Sequence, residues 1–147
     1  MRLALPAAVL AGSLIAVQAA IIGAFGERLH PFVASTWVHL GGLVFAAVAV
    51  VVARLGFQVD VVRQTPWGLL AGVAGVLLVT GIAVAVSGIG LASTLAIVTG
   101  VQLLVGFAIE ASGLLGRTVQ LHPTRVVGAL LIVSGVYLVA SRGPGVG

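Results

Sequence analysis

The chain has no cysteine and no lysine, and its 147 residues include only three acids, Glu27, Asp60 and Glu110. Without cysteine there is neither a disulfide framework nor a thiolate metal site. The acids and the three histidines, His30, His39 and His122, are scattered singly and form no spaced ligand set, so no metal is expected. Charged residues make up 7% of the chain against 61% hydrophobic, far too little charge for the surface of a water-soluble domain. No nucleophile–base pair and no phosphate-binding glycine loop is present, so neither an enzyme nor a cofactor is expected. Gly88-Ile89-Gly90 follows no strand and reads as a turn.

Five long apolar runs fill the rest, and the mean hydropathy is +1.30. A bilayer is the solvent in which such a surface is stable, and helices are the form that satisfies the backbone there. Spans of about 20 residues use roughly 100 residues, leaving no room for a soluble catalytic domain. The expected fold is all-α: one polytopic transmembrane bundle over 1–147, with helices near 3–25, 32–53, 67–86, 91–111 and 125–141. The run after Met1-Arg2 is long enough to span and reads as an uncleaved first helix.

The connectors carry the start signals. Pro31 stands where a first helical residue belongs, since it has no amide hydrogen to lose there. Leu121-His122-Pro123 repeats Leu29-His30-Pro31. Thr65-Pro66-Trp67 offers a capping hydroxyl, a proline and an interfacial indole. The connector from Arg54 to Thr65 carries Phe57, Val59, Val61 and Val62, which suit a membrane surface. Ser87 to Gly90 reads as a tight turn, and the glycine-rich tail after Ser141 as frayed.

The sequence pI of about 11.6 comes from seven arginines alone. They sit singly at the ends of apolar runs, which suits membrane orientation and not phosphate contact; no nucleic-acid partner is expected. Five spans put the termini on opposite sides. Arg2, Arg54, Arg63, Arg117 and Arg125 fall on one side, Arg28 and Arg142 on the other, a split of 5 to 2 among the seven. The positive-inside rule then gives a cytoplasmic N-terminus and an external C-terminus.

Glycine accounts for 21 residues. Gly12, Ala16, Ala19 and Gly23 fall on one stripe of the first helix, and Gly68, Gly72 and Gly75 on one stripe of the third. Small residues let backbones approach closely in lipid. The stripes mark either ordinary bundle packing or close contacts around a cavity or dimer seam.

Polar residues inside spans are costly and rank first as functional candidates. Gln18 points about 140° away from the Gly12/Gly23 stripe. Gln102 shares a stripe with Gly106 and Glu110, and His39 one with Ser35, Gly42 and Ala46. Gln18, His39 and Gln102 are candidates for a polar, uncharged substrate path; interhelix hydrogen bonding is the plainer alternative for the glutamines. His39 is either a satisfied buried histidine or a proton carrier, because imidazole titrates near physiological pH. Glu110, about 28 Å along its helix, lies near an interface. It is either paired with Arg117 or Arg125, or a proton-coupling acid.

Gly12-Ser13-Leu14-Ile15-Ala16-Val17-Gln18-Ala19-Ala20 resembles the first-helix signature of the YdcZ-like family, small five-helix bacterial membrane proteins of the drug/metabolite transporter superfamily. Gly100-Val101-Gln102-Leu103-Leu104, then Glu110, then Gly113-Leu114-Leu115-Gly116, resembles the fourth-helix signature. The likeness runs from about Leu3 to Ser141. Three positions depart from the family pattern: Ile22 where an asparagine is usual, Glu110 where aspartate is usual, and His39 where an aromatic or apolar residue is expected. The resemblance implies a half-transporter in the bacterial inner membrane, working by alternating access with an inverted homologous subunit on an unidentified small molecule. The 5-to-2 arginine split favours a separate partner chain over a self-inverted homodimer. The alternative is a structural or regulatory membrane subunit with no path of its own. Reporter fusions at the two ends are expected to read cytoplasmic at the N-terminus and external at the C-terminus; an external N-terminus overturns the assignment.

Overall fold

The computed structural model describes residues 3–113 and 122–141, and these form helices and turns only. In order they are α1 (Ala4–Gly26), α2 (Pro31–Val52), a short α3 (Val59–Gln64), a 3-10 turn (Pro66–Leu69), α4 (Leu70–Ile89), α5 (Leu91–Ser112) and α6 (Pro123–Ser141). Among the described residues, five segments are long and apolar enough to cross a bilayer: Ala4–Gly26, Pro31–Val52, Pro66–Ile89, Leu91–Ser112 and Pro123–Ser141. The expected all-α, five-helix fold is therefore the observed one. Arg2, Arg117, Arg142, the 114–121 part of the fourth connector and the tail after Ser141 lie outside the described residues.

Local chemistry explains the ends. Pro31 and Pro123 each open a helix behind a histidine. His30 caps α2: its Nδ1 accepts the Phe32 amide hydrogen at 3.4 Å, and its ring stacks on Phe32. At α6, His122 Nδ1 lies 2.9 Å from Thr124 Oγ1. The repeated His-Pro pair is thus a helix-starting device at both places. Gly90 (φ 80°) separates α4 from α5, and Gly113 (φ 70°) ends α5. Both need the left-handed backbone that glycine adopts without a Cβ penalty.

Two local expectations change. Ser87-Gly88-Ile89 is not a turn but the last part of α4, and the break is confined to Gly90. In an apolar setting the helix keeps its backbone bonds for as long as it can, and Ser87 helps by donating to the Val84 carbonyl at 2.9 Å. Thr65 does not cap the following helix. Its hydroxyl donates back to the Val61 carbonyl at 2.8 Å, because the connector has folded into α3 and Thr65 closes that helix.

The chain divides into two compact units, residues 1–87 and 88–147. In the first, the buried positions are small or β-branched: Ala19, Ile22 and Gly23 on α1, Ala34 and Ser35 on α2, and Val79, Ile82 and Ala83 on α4. Gly23 is where the Val86 side chain meets α1, and a Cβ at Gly26 would lie 3.3 Å from the Ala83 Cβ. In the second unit, a Cβ at Gly100 on α5 would lie 3.0 Å from Val136 Cγ2 on α6. Large apolar side chains point the other way: Leu10, Phe45, Val52, Leu69 and Leu131 are exposed. Small residues inside and large apolar ones outside is the arrangement expected of helices packed in lipid.

Gly23→Ala is expected to destabilise the protein. The new methyl would collide with Val86, a β-branched side chain stiff at χ1, and overpacking of this kind costs about 1–3 kcal/mol. The gain in helix propensity, about 1 kcal/mol at most, does not offset it. Gly12→Ala, with nothing within 4 Å of the added atom, is expected to be neutral. Thermal unfolding in lipid-like micelles compares the two; equal behaviour contradicts the packing assigned to Gly23.

Candidate functional site

Most helix hydroxyls in this chain look after themselves. Ser13 donates to the Val9 carbonyl at 3.0 Å, Thr36 to Phe32 at 2.9 Å, Thr80 to Val76 at 2.8 Å, and Ser134 to Leu130 at 2.8 Å. Each returns its hydrogen to its own helix, which removes the cost of placing an O–H in lipid. Glutamine is too long to do this comfortably, and neither Gln18 nor Gln102 has a hydrogen bond to any described residue. Both are exposed, Gln18 in the first unit and Gln102 in the second.

Gln18 lies in an open groove of about 610 Å³ whose walls include Leu14, Ile15, Ile21 and Ile22 of α1 and Val38 of α2. Gln18 itself is exposed, whereas Ile22, one turn on along the same wall, is buried. A second open cavity of about 420 Å³ shares Val38 and continues past Phe25, Leu29, Trp37, Gly41 and Gly42. The α1–α2 face thus holds two open, largely apolar grooves, with the Gln18 amide in the wall of the first. Such a surface suits an amphipathic organic molecule, and the amide can both donate and accept.

His39 faces elsewhere, toward α4. Its Nδ1 lies 2.8 Å from the Ser35 carbonyl oxygen and 3.4 Å from Ser35 Oγ. The buried Ser35 hydroxyl donates across to the Val76 carbonyl of α4 at 3.2 Å. That same carbonyl accepts the Thr80 hydroxyl. The Ser35–His39 stripe was visible in the sequence, but the link to Val76 was not, since a carbonyl carries no side-chain signature. Gly75 lies beside this cluster: a Cβ there would stand 3.1 Å from His39 Nε2. Of the other stripe glycines, Gly23 packs against Val86, whereas Gly12, Gly68 and Gly72 meet nothing within 4 Å.

In the second unit Glu110 is paired. Arg125 Nη1 donates to Glu110 Oε2 at 3.2 Å, joining the last turn of α5 to the first turn of α6. The other ion pair between described residues, Arg63–Asp60 at 4.0 Å, is exposed on α3. Gln102 precedes Glu110 by two helical turns, and no described side chain bonds to it.

Residues 3–138 match the model of a protein family described as "Putative inner membrane exporter, YdcZ". No curated protein and no solved structure matches the chain.

The Glu110–Arg125 pair is expected to contribute little to stability. Its side chains are 41% and 48% exposed, and pairs of that kind are worth about 0.2–1 kcal/mol. A double-mutant cycle with Glu110→Gln and Arg125→Gln, read by unfolding in bicelles, should give a coupling in that range. A coupling of several kcal/mol would mean that the pair lies in the hydrocarbon.

Proposed function

This chain belongs to the YdcZ family of inner membrane exporters, and on that premise we propose that it is one half of a small-molecule exporter. The observation that carries this reading is the Gln18 amide, which has no partner among the described residues and stands in the wall of the apolar α1–α2 groove. A polar group exposed to hydrocarbon without a hydrogen bond costs several kcal/mol. Coverage by a second subunit, with water or substrate in the space left over, removes that cost. Gln102 of the second unit, taken by itself, is a second neutral amide to which this reading gives substrate contact. Neutral amides in apolar walls select amphipathic organic molecules, since ions would lose more hydration than an amide returns.

Alternating access in this reading comes from two such halves of opposite orientation. The 5-to-2 arginine split holds this chain in one orientation, with the N-terminus cytoplasmic. Its companion is then a separate homologous chain with the reverse bias. Purified self-dimers of mixed orientation that transport on their own would contradict this part of the reading. No catalytic step is assigned to the chain.

Gln18→Leu and Gln102→Leu are expected to reduce export at least about tenfold, the effect of removing one well-made polar contact, while membrane insertion and assembly persist. Efflux from cells or vesicles loaded with a panel of fluorescent amphiphiles measures it. Unchanged efflux in both variants removes the two glutamines from the path.

A further inference from the structure

His39 is the only ionisable side chain on α1, α2 and α4: Ala4–Gly26, Leu70–Ile89 and the rest of Pro31–Val52 hold no acid, base or phenol. It lies eight residues into α2, about 12 Å along the helix and so well inside the bilayer. The family resemblance gives it no role, since an aromatic or apolar residue is expected at this position.

The geometry fixes its tautomer. The Ser35 carbonyl can only accept, so Nδ1, 2.8 Å away, carries a hydrogen. Ser35 Oγ at 3.4 Å is the secondary acceptor, since its own hydrogen goes to the Val76 carbonyl. A neutral imidazole has one N–H, so Nε2 bears the free lone pair. That nitrogen makes no hydrogen bond to any described residue. No side-chain nitrogen or oxygen among the described residues outside the exposed class is both buried and without a partner, so Nε2 is reachable from outside the protein. Gly75 stands beside it, and any Cβ there would lie 3.1 Å from Nε2.

We propose that His39 is a proton-binding site of this chain. Nε2, beside Gly75, takes up one proton on its free lone pair, while the Nδ1 hydrogen stays donated to Ser35. The product is an imidazolium with both nitrogens protonated, and no bond within the protein breaks. Ser35 is a positioning residue, which locks the tautomer and, through Val76, fixes the ring against α4. No carboxylate on α1, α2 or α4 offers a counter-charge, so the imidazolium is stable only while water or an anion reaches Nε2. Protonation then reports whether Nε2 faces an aqueous side, which is what coupling to a proton gradient requires. This inference rests on the transport reading for its purpose, but not for its chemistry.

Solid-state NMR of the full-length chain, labelled with nitrogen-15 at histidine and held in lipid bilayers, tests it; His30→Gln and His122→Gln assign the signals. The neutral His39 ring should be in the Nδ1–H form, and acidification should convert it to an imidazolium. Gly75→Ala, with helix content unchanged, should crowd Nε2 and lower the ratio of imidazolium to neutral ring midway through the titration at least about threefold. Ser35→Ala should admit the Nε2–H tautomer and keeps the test decisive if the alanine at Gly75 does not fold. An Nε2–H ring in the unaltered chain, or a ring that stays neutral on acidification, overturns the proposal. So does a titration indifferent to both substitutions. None of these readouts needs a substrate, so failure here leaves the exporter reading to stand or fall on efflux from the glutamine variants.

Discussion

The structure depends on the absence of water from the hydrocarbon layer. A backbone amide or carbonyl that crosses it must find its partner within the chain, and only helices do this locally. That requirement carries α4 through Ser87 and Gly88 to Ile89, although both residues favour turns in water. It sends the hydroxyls of Ser13, Thr36, Thr80 and Ser134 back to their own carbonyls. Against that background of satisfied groups, a side chain left without a partner is informative. Among the described residues Gln18 and Gln102 are such side chains, and His39 is one at a single nitrogen.

The same absence of water removes the hydrophobic drive between helices, so close packing must hold them. The contacts accordingly form where side chains are smallest. Val86 lies against Gly23, Ala83 against Gly26 and Val136 against Gly100. Each pairs a small residue with a small or β-branched neighbour, whose stiff side chain loses little freedom on packing. The chain's large side chains are left to the lipid, where Leu10, Phe45 and Leu131 cost nothing. Glycine therefore has two uses here: a backbone use at Gly90 and Gly113, and a contact use at Gly23, Gly26, Gly75 and Gly100.

Helix number and placement were legible in the sequence because apolar run length is a one-dimensional property. The starts at Pro31 and Pro123 were legible for the same local reason. Thr65 was not: its hydroxyl had two possible uses, and the choice turned on whether residues 59–64 coiled, which six residues of mixed character do not announce. Of the site, the side chains were legible and the partners were not. Glu110 was open to pairing with Arg117 or Arg125; the structure pairs it with Arg125, while Arg117 lies outside the described residues. The Ser35–Val76 bond joins residues far apart in sequence, and its acceptor is backbone, so no residue pattern encodes it. Gly75 looked like a member of a packing stripe. Its neighbour proves to be an imidazole nitrogen, and only the relative rotation of α2 and α4 decides that.

Val38 and His39 are consecutive on α2 but serve different faces. Val38 lines both open cavities on the α1 side, and His39 is held toward α4 through Ser35 and Val76. An α-helix without an internal break moves nearly as a rigid rod, and α2 has no proline or π-bulge between Phe32 and Val52. A tilt or roll of α2 that widens the groove around Gln18 must therefore also move the imidazole relative to Gly75. The Ser35 bond resists that motion, since breaking it would leave a buried hydroxyl and half of the Val76 carbonyl's coordination unpaired. The groove and the imidazole, on two faces of one helix, are thus tied to the same movement of that helix.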